Sequence, residues 1–169
     1  VAATRARSAK IALIAGTLAE LGPEEVRLGV AYLSGELPGA RLGVGYAGAF
    51  RADAAPAPEP TLDLSELDRR LAEIAALSGA GSAGRRKALL GALLSLATER
   101  EQRFLRALLV DELRQGALSA VVEEALARAF QVPLERVRRA AMLSGDLGAV
   151  AAAARERGAA GLEEFRLET

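Results

Sequence analysis

Apolar residues in this chain recur three and four positions apart, while the alternating pattern of a half-buried strand, rich in β-branched and aromatic residues, is absent. The pattern predicts an all-α fold, a compact bundle of about eight or nine helices. A first helix is expected from about Thr4 to Leu21, with Ile11, Leu13, Ile14, Leu18 and Leu21 on or near one face and Gly22 ending it. Pro23 suits a first helical position, and Glu24 and Glu25 favour the positive end of the helix dipole, so a second helix should run to about Ser34. Asp63 and Glu66 have capping-box spacing, with Leu62 and Leu67 placed as a hydrophobic staple, and start a helix reaching about Leu77. Thr98 and Glu101 repeat the signal before Phe104, Leu105, Leu108 and Leu109, and that helix is expected to stop at Arg114-Gln115-Gly116. Three more follow, from about Ala117 to Phe130, from Pro133 to about Leu143, and from Asp146 to Arg157 before Gly158.

Two features organise these helices. Ala52 to Pro60 carries Pro56, Pro58 and Pro60 among alanines, the composition of an extended surface linker between two helical halves of a single domain. The halves also resemble each other. At an offset of 76, Leu18, Glu25, Arg27, Ala31, Leu33, Glu36 and Leu37 recur as Leu94, Glu101, Arg103, Ala107, Leu109, Glu112 and Leu113. Each copy runs on from Glu-Leu into a Gly-containing turn, Pro38 to Gly45 in one and Arg114 to Gly116 in the other. Pseudo-duplicated helix-turn units about an approximate dyad would suit a DNA duplex, whose antiparallel strands share that symmetry.

Composition narrows the chemistry. The 169 residues include no His and no Cys, which removes thiol nucleophiles, disulfides, Cys or His zinc sites and Ser-His-Asp triads. Hydrophobic residues make up 51% of the chain but aromatics only 4%, so the core must be built from Ala, Leu and Val, and little remains for a base-stacking platform. No apolar run approaches the roughly 18 residues of a membrane span, and Ile11 to Gly16 is too short for a secretory core. A cytoplasmic protein is expected, monomeric and without a membrane partner. Because the chain opens on Val1 and ends at Thr169 without a clear stop, it reads as part of a longer protein.

Charge is balanced overall, 22 basic against 22 acidic residues, but unevenly placed. Between Asp53 and Glu73 six acids face Arg69 and Arg70, a net of minus four that leaves plus four elsewhere. Basic residues gather as Arg5, Arg7 and Lys10, as Arg85, Arg86 and Lys87, and as Arg136, Arg138 and Arg139. Any of these can simply be a solvated helix face. Gly79-Ala80-Gly81-Ser82-Ala83-Gly84 before Arg85-Arg86-Lys87 says more: Ser82 can cap the following helix, small residues admit another backbone, and cations at a helix start oppose its dipole unless an anion is bound. An ordinary flexible turn, with glycine ending the previous helix, explains the same residues. It is not a Walker loop, since the GxxxxGK[ST] spacing is missing. Gly43 and Gly45 in Leu42-Gly43-Val44-Gly45 lack the third glycine and the strand of a dinucleotide fingerprint, so there, and at Arg114-Gln115-Gly116-Ala117, the choice is between phosphate contact and helix capping. Ser144 to Gly148 reads as a turn with Asp146 as N-cap.

With these segments in hand, the sequence resembles the N-terminal DNA-binding domain of ATP-dependent DNA ligases, particularly the bacterial branch. Tyr32 to Ala47, Leu77 to Thr98, Phe104 to Leu126 and Val137 to Ala151 carry the resemblance, most specifically in ELRQGAL and MLSGDL. It implies a helical domain that wraps the minor-groove side of nicked double-stranded DNA and helps the catalytic domains of the same chain encircle it. It also implies phosphate contacts on both strands at Gly43 and Gly45, at Gly81, Ser82, Arg85 and Arg86 with Lys87 beside them, and at Arg114, Gly116 and Ala117. ATP and Mg2+ are implied for the whole enzyme. The KxDG motif of its nucleotide-accepting lysine is missing, because Lys10 precedes Ile-Ala-Leu and Lys87 precedes Ala-Leu-Leu. This segment is therefore expected to bind DNA without catalytic residues, cofactor or metal of its own. A helical module docking a protein partner through an apolar groove is the competing expectation.

Overall fold

The computed structural model describes residues 2–37, 54–110 and 116–166, and among them the chain is all-helical, with eight helices and no strand. These are α1 (Ala2–Glu20), α2 (Pro23–Leu33), α3 (Leu64–Ala76), α4 (Ser82–Ser95), α5 (Glu99–Leu109), α6 (Gly116–Ala129), α7 (Leu134–Ser144) and α8 (Leu147–Leu162). They form two compact units, one of Val1–Glu36 with Arg114–Thr169 and one of Leu37–Leu113.

In the first unit α2 packs against α8, α1 against α6, and α7 against α8. Leu18, Val26, Val30, Val122, Leu126 and Val150 are all but fully buried at the centre. Each such side chain removed from water contributes about 1.5–3 kcal/mol, which is what holds short helices that would be marginal alone. The helix ends follow the sequence signals closely. The Glu25 carboxylate accepts the Gly22 N–H at 3.0 Å ahead of Pro23, and Asp146 Oδ1 accepts the Ala149 N–H at 2.8 Å at the start of α8. The α1 face is narrower than the periodicity predicts. Ala15 and Leu18 are buried and Ile11, Ile14 and Leu21 half-buried, but Leu13 is 73% exposed, because 3.6 residues per turn carry it off the stripe set by Leu18. Gly158 leaves helical geometry at φ +58°, where the expected end of the last helix falls, yet a further turn continues to Leu162, which is buried.

In the second unit α3 packs on α4. Leu67, Leu71 and Ile74 form the buried face of α3, and Leu90, Leu93 and Leu94 that of α4. Asp63 caps α3 by accepting the Glu66 N–H at 2.7 Å, but Glu66 does not return the bond as a capping box requires. Its carboxylate takes Arg69 at 2.8 Å and Arg70 at 2.6 Å instead, since two guanidinium groups one turn on outcompete a single amide. The proline-rich stretch is exposed at Pro56, Pro58 and Pro60, as a surface segment should be. It nevertheless lies inside this unit: the Ala57 N–H donates to the Ala97 carbonyl at 2.9 Å, and the Ala54 carbonyl accepts Gln102 Nε2 at 3.2 Å. The division of the chain falls at 36/37 and 113/114 rather than along 52–60.

Candidate nucleic-acid interface

Of the expected contact residues, Gly43, Gly45 and Arg114 lie outside the described residues. Gly116 and Ala117 are the first two residues of α6. Gly81, Ser82, Arg85, Arg86 and Lys87 are brought together at the junction of α3 and α4, and the site is built there.

α3 ends at Ala76, and Leu77 adopts an extended conformation that turns the chain out of the helix. The corner is then made by two glycines in the left-handed region, Gly79 at φ +80° and Gly81 at φ +76°. Side chains are strained there, so glycine is the residue that allows the backbone to reverse so tightly. Both are exposed, and a Cβ on either would meet nothing within 4 Å, so the glycines serve conformation rather than internal packing. Gly81, not Ser82, is the N-cap of α4. Ser82 is the first helical residue, and its hydroxyl lies 3.5 Å from Arg86 Nη1 instead of capping an amide. The Ser82 N–H donates to Gly79 O at 3.2 Å and the Arg85 N–H to Gly81 O at 3.3 Å. Between them the amides of Ala83 and Gly84 have no hydrogen-bond partner among the described residues, as the first turn of a helix leaves them.

The cations around this corner divide in two. Arg85 and Lys87 are exposed and make no ion pair among the described residues. Arg86 is half-buried and turned inward, where its Nη2 donates to the Leu77 carbonyl at the end of α3. The dipole conflict that marks this segment in the sequence is thereby relieved for Arg86 within the protein, because the carboxyl end of one helix favours a cation at the start of the next. For Arg85 and Lys87 it is not. Residues 74–98 contain these three cations and no Asp or Glu, so the junction's own segment adds positive charge and no negative charge.

The other two basic clusters are partly neutralised. Arg7 pairs with Glu124 at 2.6 Å, Arg136 with Glu163 at 2.8 Å, and Arg138 with Glu123 at 3.4 Å and Glu124 at 3.8 Å. They behave in part as the solvated faces that composition also allows. Sequence reasoning assigns contact to Gly81 and passes over Gly79 and the Leu77 carbonyl. A Gly-Xaa-Gly ahead of a helix is the signal for the first; nothing in the sequence reveals the second.

An anion with several oxygens is what such a corner can hold: free amides along a helix axis, with two long, exposed cations beside them. The family described as DNA ligase N terminus matches residues 46–127, a span that includes this corner and the start of α6 but not Gly43 or Gly45. A probable DNA ligase of Mycolicibacterium gilvum is 54% identical over 168 residues, covering 99% of this chain and 33% of the relative. Probable DNA ligases of Anaeromyxobacter dehalogenans and Nocardia farcinica are 53% and 51% identical over the same 99% of the chain. The chain thus spans about a third of the length of the curated relatives it matches.

Proposed function

The chain is a relative of the N-terminal region of DNA ligases, and on that premise we propose that it is the DNA-binding domain of an ATP-dependent ligase acting in the bacterial cytoplasm at the nucleoid. It grips nicked double-stranded DNA from the minor-groove side through backbone phosphates, without reading sequence, and so supports nick sealing by catalytic domains of the same protein. The observation that carries this reading is the α3–α4 corner, where unpaired amides and the exposed Arg85 and Lys87 share one end of a helix in a stretch without acids. Gly116 and Ala117, opening α6, and Gly43, Gly45 and Arg114 complete the grip in this proposal.

Phosphate contact fits the physical task. Ligation requires two strand ends to be held in line, and contacts far from the reacting atoms contribute to that alignment without taking part in the chemistry. Adenylate transfer is assigned to no residue of this chain. Its two lysines, Lys10 and Lys87, both stand outside KxDG. ATP and Mg2+ belong, in this reading, to the catalytic part.

The competing role, docking a protein through an apolar face, has little to stand on among the described residues. There the exposed large apolar side chains are Leu13 on α1 and Met142 on α7, single residues on separate helices. Titration of nicked duplex at rising salt tests the proposal. Affinity on the order of micromolar at moderate salt should fall steeply, with a log–log slope near −0.9 for each phosphate neutralised. Salt-insensitive affinity, or no binding in dilute buffer, would reject it.

A further inference from the structure

The junction that presents Arg85 and Lys87 is held by remarkably little burial for a structural corner, since Ser78, Gly79, Ala80 and Gly81 are all exposed. Glycine at two of these positions leaves the backbone more freedom to lose than any other residue would. Short-range backbone bonds close the turn locally, from Leu77 N to Ile74 O and from Ser82 N to Gly79 O. Among the described residues, one side chain spans the whole corner. Arg86 reaches back nine positions to donate its Nη2 to the Leu77 carbonyl, while its Nη1 lies 3.5 Å from the Ser82 hydroxyl. Its Nε is buried with no partner, so the guanidinium group is embedded in the junction rather than extended from it.

We infer that Arg86 is a positioning residue, a guanidinium strut that ties the end of α3 to the start of α4 and holds the corner in shape for phosphate, without neutralising a phosphate itself. The inference rests on the DNA-binding reading and refines it, by separating one arginine from its two neighbours in a run that the sequence presents as a single basic cluster. Its physical basis is the fork of the guanidinium, which offers two donors at fixed spacing; a lysine ammonium carries the same charge but cannot copy that geometry. A corner already ordered loses less freedom on binding, so removing the strut weakens binding at every salt concentration by one factor. Removing a phosphate contact acts differently, because fewer counterions are released and the salt slope itself becomes shallower.

Three variants separate these effects. Arg85→Ala should lower the salt slope for nicked duplex by about 0.9. Arg86→Ala should leave the slope unchanged and weaken binding by about fivefold to tenfold throughout, a loss of the size expected from unfixing a few side chains or residues. Arg86→Lys, which keeps the charge and guards against a misfolded alanine variant, should not restore the loss. Hydrogen exchange without DNA supplies a second readout: the Ser82 and Arg85 amides should exchange faster in both Arg86 variants while amides at the centre of α4 do not change. A slope reduced in Arg86→Ala and restored in Arg86→Lys would overturn the strut and leave DNA binding intact, and unaltered exchange at Ser82 and Arg85 would overturn it as well. Failure of the unsubstituted chain to bind duplex would instead reject the underlying reading.

Discussion

Gly148 shows how a single hydrogen can be a packing requirement. A Cβ at this position would stand 2.7 Å from the Arg27 carbonyl, so α8 approaches the backbone of α2 more closely than any side chain permits. Gly148→Ala should therefore destabilise the chain by about 1–3 kcal/mol, measured by denaturant unfolding, because the obstacle is backbone that can yield only if two helices separate. Gln131 presents the opposite case. It ends α6 in the left-handed region at φ +52°, with the Val132 N–H closing onto the Ala127 carbonyl at 3.0 Å. Gly145 does the same duty after α7 at φ +65° without a side chain. Gln131→Gly should gain up to about 1 kcal/mol in the same unfolding measurement, the left-handed strain relieved being larger than the added chain entropy. Neither position is legible in the sequence. Gly148 is read there only as the tail of a turn, since its purpose is the distance to another helix, and Gln131 is a polar residue in an unremarkable place.

At the scale of helices, much more could be read. The repeat at offset 76 is a repeat of structure as well: α2 and α5 are both 11 residues long and their boundaries, 23–33 and 99–109, differ by 76 at each end. Glu25 and Glu101 hold equivalent places, each accepting the N–H of its N-cap residue, Gly22 at 3.0 Å and Thr98 at 2.8 Å. Capping is legible because it involves residues three apart. What diverges between the copies is the buried position after the cap, Val26 in one and Gln102 in the other. Gln102 Nε2 donates to tertiary partners, the Leu94 carbonyl at 2.8 Å and the Ala54 carbonyl at 3.2 Å, and the second of these also ties down the proline-rich stretch that composition alone presents as a linker. Gln102→Leu should cost about 1–3 kcal/mol in unfolding free energy by leaving the Ala54 carbonyl without its donor, while the Leu94 carbonyl keeps the Ala97 N–H at 3.1 Å. Proton linkage gives another test. The Arg69 hydrogen bond first, then that of Arg70, holds the Glu66 carboxyl below its ordinary value of 4.5. A lowered folded value stabilises the chain above the ordinary one and is lost as pH falls, so Glu66→Gln should flatten the acid side of the stability profile.

Across the whole molecule, the all-helical class follows from periodicity, whereas the grouping of helices does not. α1 and α2 share a unit with α6, α7 and α8, residues far removed in sequence, because the buried faces of α2 and α8 fit each other, and no local pattern records that fit. The net charge of zero is similarly uninformative until the ion pairs are drawn, after which Arg7, Arg136 and Arg138 are engaged and Arg85 and Lys87 are not. Replacing both Arg85 and Lys87 with Ala should weaken binding to nicked duplexes of unrelated sequence by the same factor, read by fluorescence anisotropy; a loss confined to one sequence would mean base contact instead. The most direct measurement follows the corner amides themselves, by recording amide resonances of the isotope-labelled chain as nicked duplex is added. Those of Gly81, Ala83 and Gly84 should shift at low salt and return as salt rises. If they hold still while duplex binds, or if no resonance anywhere responds to it, the α3–α4 corner is not where this protein meets DNA.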